Sequence, residues 1–286
     1  MPPINEYLRA RPGPPLRALV PFYSGYRQAG VAAGRHRGLP SPYLTLIFTL
    51  HEPLTVAEHV DPRQPPGDYD SLIGGLHTTP ATIVHDGRQS GVQLAVDPLA
   101  ARTLLGMPAA ELFGTDLCAC DVLGTVANEV HDRLATATRW RERFAILDTS
   151  LAGLVGQRAG PADEVSRAWG MLRASHGSMT VGELAADVGW SVRHLTRKFK
   201  AELGLSPKAA ARIMRFDGAR RELQRRAATG QRLELAGLAA QFGYYDQPHL
   251  NREFAVIAGC TPLTWLAEEV GNIQAEPPAE VADWTS

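Results

Sequence analysis

The strongest constraint on this fold is a pattern that the chain writes twice. Residues 181–207 read VGELAADVGWSVRHLTRKFKAELGLSP, and residues 237–262 read GLAAQFGYYDQPHLNREFAVIAGCTP. In the first copy Val181, Leu184, Ala185 and Val188 fall at i, i+3, i+4 and i+7, one apolar face of a short helix. Gly189 follows, where a helix end wants a residue that tolerates positive φ. Ser191 is then placed to cap a second helix with apolar positions Val192, Leu195, Phe199 and Leu203. In the second copy Leu238 matches Leu184 and Gly243 matches Gly189, an offset of 54. Beyond the turn Leu250, Arg252, Phe254, Gly259 and Pro262 match Leu195, Arg197, Phe199, Gly204 and Pro207 at an offset of 55, so the second turn holds one extra residue. Both copies close on Gly-x-(Ser/Thr)-Pro, with Ser206 or Thr261 as cap and proline at the first helical position. Two short helices about a glycine turn make a helix-turn-helix, and this chain spells two of them.

The second helix of the first unit turns Arg193, His194, Thr196, Arg197, Lys198 and Lys200 away from its apolar face. Four of those six are permanently cationic, which suits a helix laid against phosphates and base edges. A solvated basic face on an ordinary helix pair is the alternative for either unit alone. The duplication and the spacing weigh against it. From Pro207 to about Arg226 the chain reads as one helix, with Ile213, Phe216, Ala219 and Leu223 near helical spacing. About twenty residues make a rod of roughly 30 Å, close to the ~34 Å turn of B-DNA.

These residues resemble the AraC/XylS-type transcription regulators over about residues 161–268. The resemblance rests on LA-x-x-x-G, S-x-x-x-L-x-R-x-F-K and G-x-SP, then LA-x-x-x-G-Y, L-x-R-x-F and G-x-TP. It implies two recognition helices, each entering a major groove of double-stranded DNA. The implied base-facing positions are Arg193, Thr196 and Arg197 in the first helix, with His194 and Lys200 on the same outward side. In the second they are Gln247, Asn251 and Arg252, with His249 beside them. The second helix departs from the commonest pattern, carrying Asp-Gln-Pro-His where Ser and Phe are usual; Pro248 is tolerated in a first turn. A small-molecule effector, RNA polymerase and a second copy of the chain are the other partners the resemblance implies.

At 286 residues the chain is long enough for two domains, and 44% hydrophobic with 21% charged residues is ordinary for a globular protein. The net charge of −1 is unevenly spread. Residues 175–268 hold 13 Lys/Arg against 9 Asp/Glu, while residues 1–174 hold 16 against 17. The positive part coincides with the two units, as local phosphate binding requires. Cys118, Cys120 and Cys260 are too few for a disulfide framework and read as reduced, with metal or redox sensing a remote alternative. No run approaches 18 apolar residues and the N-terminus lacks an apolar signal core, so a cytoplasmic protein without membrane contact is expected.

Residues 1–20 are Pro-rich and read as an extended lead-in. From residue 22 to 97 the signals are strand-like: residues 43–50 (YLTLIFTL), 71–76, 81–85 and the alternation of Val92, Leu94 and Val96. Residues 61–70 (DPRQPPGDYD) read as a loop, and Arg35, His36 and Arg37 as a solvated turn. A small antiparallel β barrel or sandwich follows. His51, His59, His77 and His85 lack metal-ligand spacing and read as ordinary histidines. Residues 98–105, 121–136 and 139–155 then read as helices. The expected organisation is α+β: an N-terminal sensor or dimerisation domain (1–160), an all-α DNA-binding domain (161–271) and an acidic, disordered tail (272–286).

Two other functions compete with a ligand-responsive regulator. Alkylation-repair enzymes share this DNA-binding domain but need a reactive zinc-bound cysteine set near the N-terminus, and no Cys precedes Cys118. With no G-x-S-x-G, P-loop or His/Glu zinc motif either, neither catalysis nor a cofactor is expected. A protein-interaction module is opposed by the cationic outward positions.

Overall fold

The computed structural model describes residues 3–155 and 160–269. Among the described residues the first half contains ten strands. They are β1 (Ile4–Ala10), β2 (Phe22–Ala29), β3 (Gly34–Gly38), β4 (Leu44–Thr49), β5 (Leu54–Glu58), β6 (Gly67–Tyr69), β7 (Ser71–Gly74), β8 (Ala81–His85), β9 (Gln89–Val96) and β10 (Asp116–Cys118). They form two antiparallel sheets, β1-β2-β9-β4-β7-β10 and β3-β8-β5-β6. The architecture is therefore a sandwich of two sheets, not a closed barrel.

Several local expectations are corrected. Residues 4–10 of the supposed lead-in are the edge strand β1, paired in register from Ile4↔Ala29 to Ala10↔Tyr23. The prolines that suggested a lead-in bracket this strand without entering it. Arg35, His36 and Arg37 lie in β3, with His36 buried, and residues 67–69 of the supposed loop add the short strand β6. Cys118 and Cys120 are joined through their sulfurs, where reduced thiols were expected.

Helices α1 (Ala101–Leu105), α2 (Ala119–Leu123), α3 (Thr125–Thr136) and α4 (Trp140–Leu154) complete this half. The helix expected over residues 121–136 is broken at Gly124, whose φ is +62°. α4 docks on the large sheet, where Tyr23 Oη donates to Asp148 at 2.8 Å and Tyr23 stacks on Phe144 at 5.9 Å between ring centroids.

The second half is helical: α5 (Asp163–Ala174), α6 (Val181–Asp187), α7 (Val192–Leu203), α8 (Pro207–Ala228), α9 (Leu235–Gln241), α10 (Gln247–Ala258) and α11 (Pro262–Glu269). The sequence boundaries hold because the caps are real. Thr180 and Glu183 form a capping box, and Ser191, Ser206 and Asp246 each accept a backbone N–H at the start of α7, α8 and α10. Gly189 and Gly243 both sit at φ +70°, the left-handed conformation each turn requires. Leu195, Phe199 and Leu203 are fully buried around Trp169, and Leu250 and Phe254 around Phe216 and Trp265. Each such burial stabilises by roughly 1.5–3 kcal/mol.

The apolar core of the sandwich runs without a break into the first helix-turn-helix unit, from Leu104 and Leu112 to Trp169 and Leu203. Gly204 shows how tight this junction is. At φ +75° it ends α7, and a Cβ there would lie 2.4 Å from the Phe113 side chain. The second unit keeps its own core around Phe216, Leu250 and Trp265. The segment 156–159 at the expected domain boundary and the tail 272–286 lie outside the described residues.

Candidate nucleic-acid interface and inter-domain cavity

α7 and α10 occupy the same place in the two units, and their outward faces carry the residues picked from the sequence. Arg193, Arg197 and Lys200 are exposed on α7, with His194 and Thr196 half-buried between them and the core. On α10, Gln247 and Arg252 are exposed, and His249 and Asn251 half-buried. α8 spans 22 residues between the units, a rod of about 33 Å at 1.5 Å per residue.

Local ion pairs could have consumed the arginines, and they do not. Glu202 is held by Arg102 at 2.8 Å, and Glu253 by Arg212 at 2.7 Å. Among the described residues Arg193, Arg197, Lys200 and Arg252 form no ion pair. Arg197 makes one side-chain contact, Nη2 to His194 Nδ1 at 3.3 Å, and His194 is itself packed edge-on against Trp190 at 4.6 Å. His194 thus orients Arg197 from within the helix.

The candidates on α10 are less uniform. His249 turns back on its own turn, its Nδ1 accepting from the Tyr245 backbone N–H at 3.2 Å and its ring edge-on to Tyr244. Asn251 has its Oδ1 buried without a hydrogen-bond partner. Tyr245, which sequence reasoning passed over, is 91% exposed just before the helix. Its position after Gly243-Tyr244, one residue longer than the first turn, was the available signal.

A second site was not foreseen. A cavity of about 210 Å³ lies between the two sheets and is bordered by α8 and α11. Ile47, Leu54, Val56, Leu72 and Ile83 give it apolar walls, whereas Arg9, Arg220, Arg221 and Trp265 line its other end. Arg9 stacks on Phe22 with its Cζ 3.5 Å from the ring centroid, and forms no ion pair among the described residues. The Nε atoms of Arg9 and Arg220 and the Nε1 of Trp265 are buried without hydrogen-bond partners. Burial, followed by repulsion from Arg221, holds the Arg9 guanidinium below its ordinary pKa. The Asp217-x-x-Arg220-Arg221 spacing on α8 was readable as an ion-pair cluster; its meeting with Arg9 was not.

The four strand-region histidines are dispersed. His59 pairs with Asp116 at 2.8 Å and touches Tyr69 at 3.3 Å; His77 contacts the Thr79 carbonyl, and His85 accepts from Gly87. Among the described residues no group of three His, Cys, Asp or Glu side chains is arranged to hold a metal ion. No helix among them is long and apolar enough to cross a membrane.

Residues 162–268 match the family described as helix-turn-helix domain, and residues 8–117 match a domain family of unknown function, DUF6597. No curated protein matches the chain. Among solved structures it is similar to ToxT from Vibrio cholerae, at 8% identity and a TM-score of 0.51, covering 86% of this chain and 97% of that one. A ToxT structure bound to (E)-4-(8-methylnaphthalen-1-yl)but-3-enoic acid matches at 9% identity and a TM-score of 0.50, over 92% and 98%. The C-terminal domain of AraT from Geobacillus stearothermophilus matches at 22% identity and a TM-score of 0.33, over 43% and 93%. At these identities the ToxT likeness establishes a shared fold, a two-sheet domain followed by a helical one. The duplicated units, their caps and turns and the family match together identify residues 162–268 as a helix-turn-helix domain of the AraC type.

Proposed function

We propose that the chain reads DNA with α7 and α10 in successive major-groove segments and adjusts that reading to a small apolar acid held in the inter-domain cavity. One observation carries the first half. Arg197 and Arg252 stand at equivalent positions of the two units, outward, with the neighbouring glutamates already engaged elsewhere. A guanidinium left free on a major-groove helix can grip guanine O6 and N7 with both ends of its fork. Arg193, Thr196 and Gln247 flank those arginines and are the other base-facing candidates. Lys200 is placed for phosphate, while His194 and His249 position their neighbours. Asn251, half-buried beside Arg252, is the remaining base-facing candidate of α10.

The cavity supports the second half. Its walls are apolar at one end and rich in N–H donors at the other, the two-part lining an amphipathic acid requires. ToxT, of the same fold, has been solved with such an acid bound. On this reading the protein is a non-catalytic cytoplasmic regulator, and the acid group rests on Arg9 and Arg221.

Gel shifts of the full chain on a random DNA library, followed by site selection, test DNA reading. Enrichment of a two-part site, with affinity falling steeply as salt rises, is expected. Salt-independent binding, or no enrichment, would count against it. Thermal shift with octanoate against 1-octanol, repeated on the selected DNA, tests the effector reading: the acid should stabilise and change DNA affinity, the alcohol should not.

A further inference from the structure

We infer that Asp217 sets the affinity of the cavity for its acid, acting as a resident carboxylate with which the incoming acid group shares Arg221. This rests on the reading that an acid occupies the cavity. Asp217 is 6% exposed on the inward face of α8. Its Oδ1 lies 2.7 Å from Arg220 Nη2, and its Oδ2 lies 2.8 Å from Arg221 Nε. The Arg221 contact is close but is not aligned as a hydrogen bond, so this guanidinium is neutralised without being saturated. Arg220 gives its Nη1 to Gln224 at 2.9 Å, leaving its Nε without a partner.

The carboxylates that line the cavity, Asp116 and Glu269, are occupied, and Asp217 stands behind Arg220 and Arg221. Asp116 holds His59, and Glu269 accepts from the Arg37 backbone N–H at 3.2 Å. Arg9 approaches from β1 with no carboxylate of its own, so an acid group there completes the set by bridging Arg9 to Arg221. It does so in the field of Asp217, a like charge on the same guanidinium. Burial works to raise the Asp217 carboxyl, but Arg221 and Arg220 outweigh it, and the group stays ionised well below the ordinary carboxylate range.

The arrangement has a physical rationale. Two partly covered guanidiniums on α8 without any counter-charge would destabilise the helix joining the two helix-turn-helix units. Asp217 removes that cost, and the same charge weakens the acid that binds. The protein thereby responds to a higher effector concentration than its arginines alone would set.

The test uses the full chain, with octanoate and octyl phosphate as probes and calorimetric Kd and Tm as readouts. Asp217→Asn should lower the Tm of the free protein, yet tighten the Kd for either probe by about tenfold, the factor that corresponds to ~1.4 kcal/mol. The increase in Tm on adding probe should grow accordingly. A purely structural Asp217 predicts a lower Tm with an unchanged or weaker Kd, and that result would overturn the inference. Should Asp217→Asn fail to fold alone, the same change is made in an Arg220→Gln background, where charge is lost in balance. There the double variant must bind tighter than Arg220→Gln itself. If neither probe binds wild type or variants, the acid reading fails and takes this inference with it. If wild type binds and the variants do not tighten, only this inference fails.

Discussion

Arg102 on α1 grips Glu202 on α7 with both arms of its fork, Nε to Oε1 at 2.8 Å and Nη2 to Oε2 at 3.0 Å. The pair crosses between the sandwich and the helical half, two residues before Gly204, where Phe113 covers the helix end. Arg173 on α5 makes a second crossing to Asp97 at 2.5 Å. The sandwich is therefore attached to α7 itself, one of the two helices proposed to read DNA.

Arg102→Ala is expected to destabilise by about 1–2 kcal/mol in urea unfolding, because Glu202 is left nearly covered without its partner. The half-exposed arginine side keeps the figure below that of a fully buried pair. Base preference in site selection should not change, since Arg102 holds Glu202 and none of the proposed base-facing residues. A shift in preference would place α7 differently from the geometry described.

Arg197→Ala should relax base preference in one part of the selected site and Arg252→Ala in the other, each by about 1–3 kcal/mol against the wrong base. Lys200→Ala should weaken all sequences alike and make the salt slope shallower by about one unit. Selection profiles identical to wild type for both arginine variants would leave only electrostatic attachment.

Tyr245→Ala should leave the unfolding free energy within the scatter of surface substitutions, about ±0.5 kcal/mol, because the side chain is 91% exposed. DNA affinity should nevertheless fall, with Tyr245→Phe separating loss of the ring from loss of the hydroxyl. A Tyr245→Ala protein that binds selected DNA as wild type does would remove this residue from the interface.

Acid should unlock α8. Glu222 is held down to about 2 by hydrogen bonds from Arg225, against a small opposing effect of burial, and then by Arg226. Asp217 is lowered as well. A carboxyl depressed in the folded state stabilises fully above its unfolded pKa of about 4 and loses that contribution as pH falls through the folded value. Stability in urea should thus decline from about pH 4 downward. Glu222→Gln should be less stable than wild type at pH 7, and the two curves should converge near pH 2. Parallel curves would show that Glu222 contributes nothing through its charge.

The helical half was legible residue by residue. Its signals are local: Ser191 and Ser206 cap the helices that follow them, glycines end the units, and the Leu195–Phe199 and Leu250–Phe254 pairs repeat at a fixed offset. Such features act within a turn or two of chain, so the sequence alone could determine them. It also placed Arg197 and Arg252 outward, because two residues from a buried Leu is about 200° around a helix. The sandwich was only partly legible. β1 hid between prolines, since an edge strand is decided by its partner β2, 25 residues away at Ile4↔Ala29. The cavity was invisible for the same reason. Arg9, Arg221 and Asp217 are ordinary charges along the chain, and only the packing of α8 beneath the sheets strips their water and sets them against one another. Burial and like-charge contact are properties of three-dimensional neighbours, and those the tertiary structure alone decides.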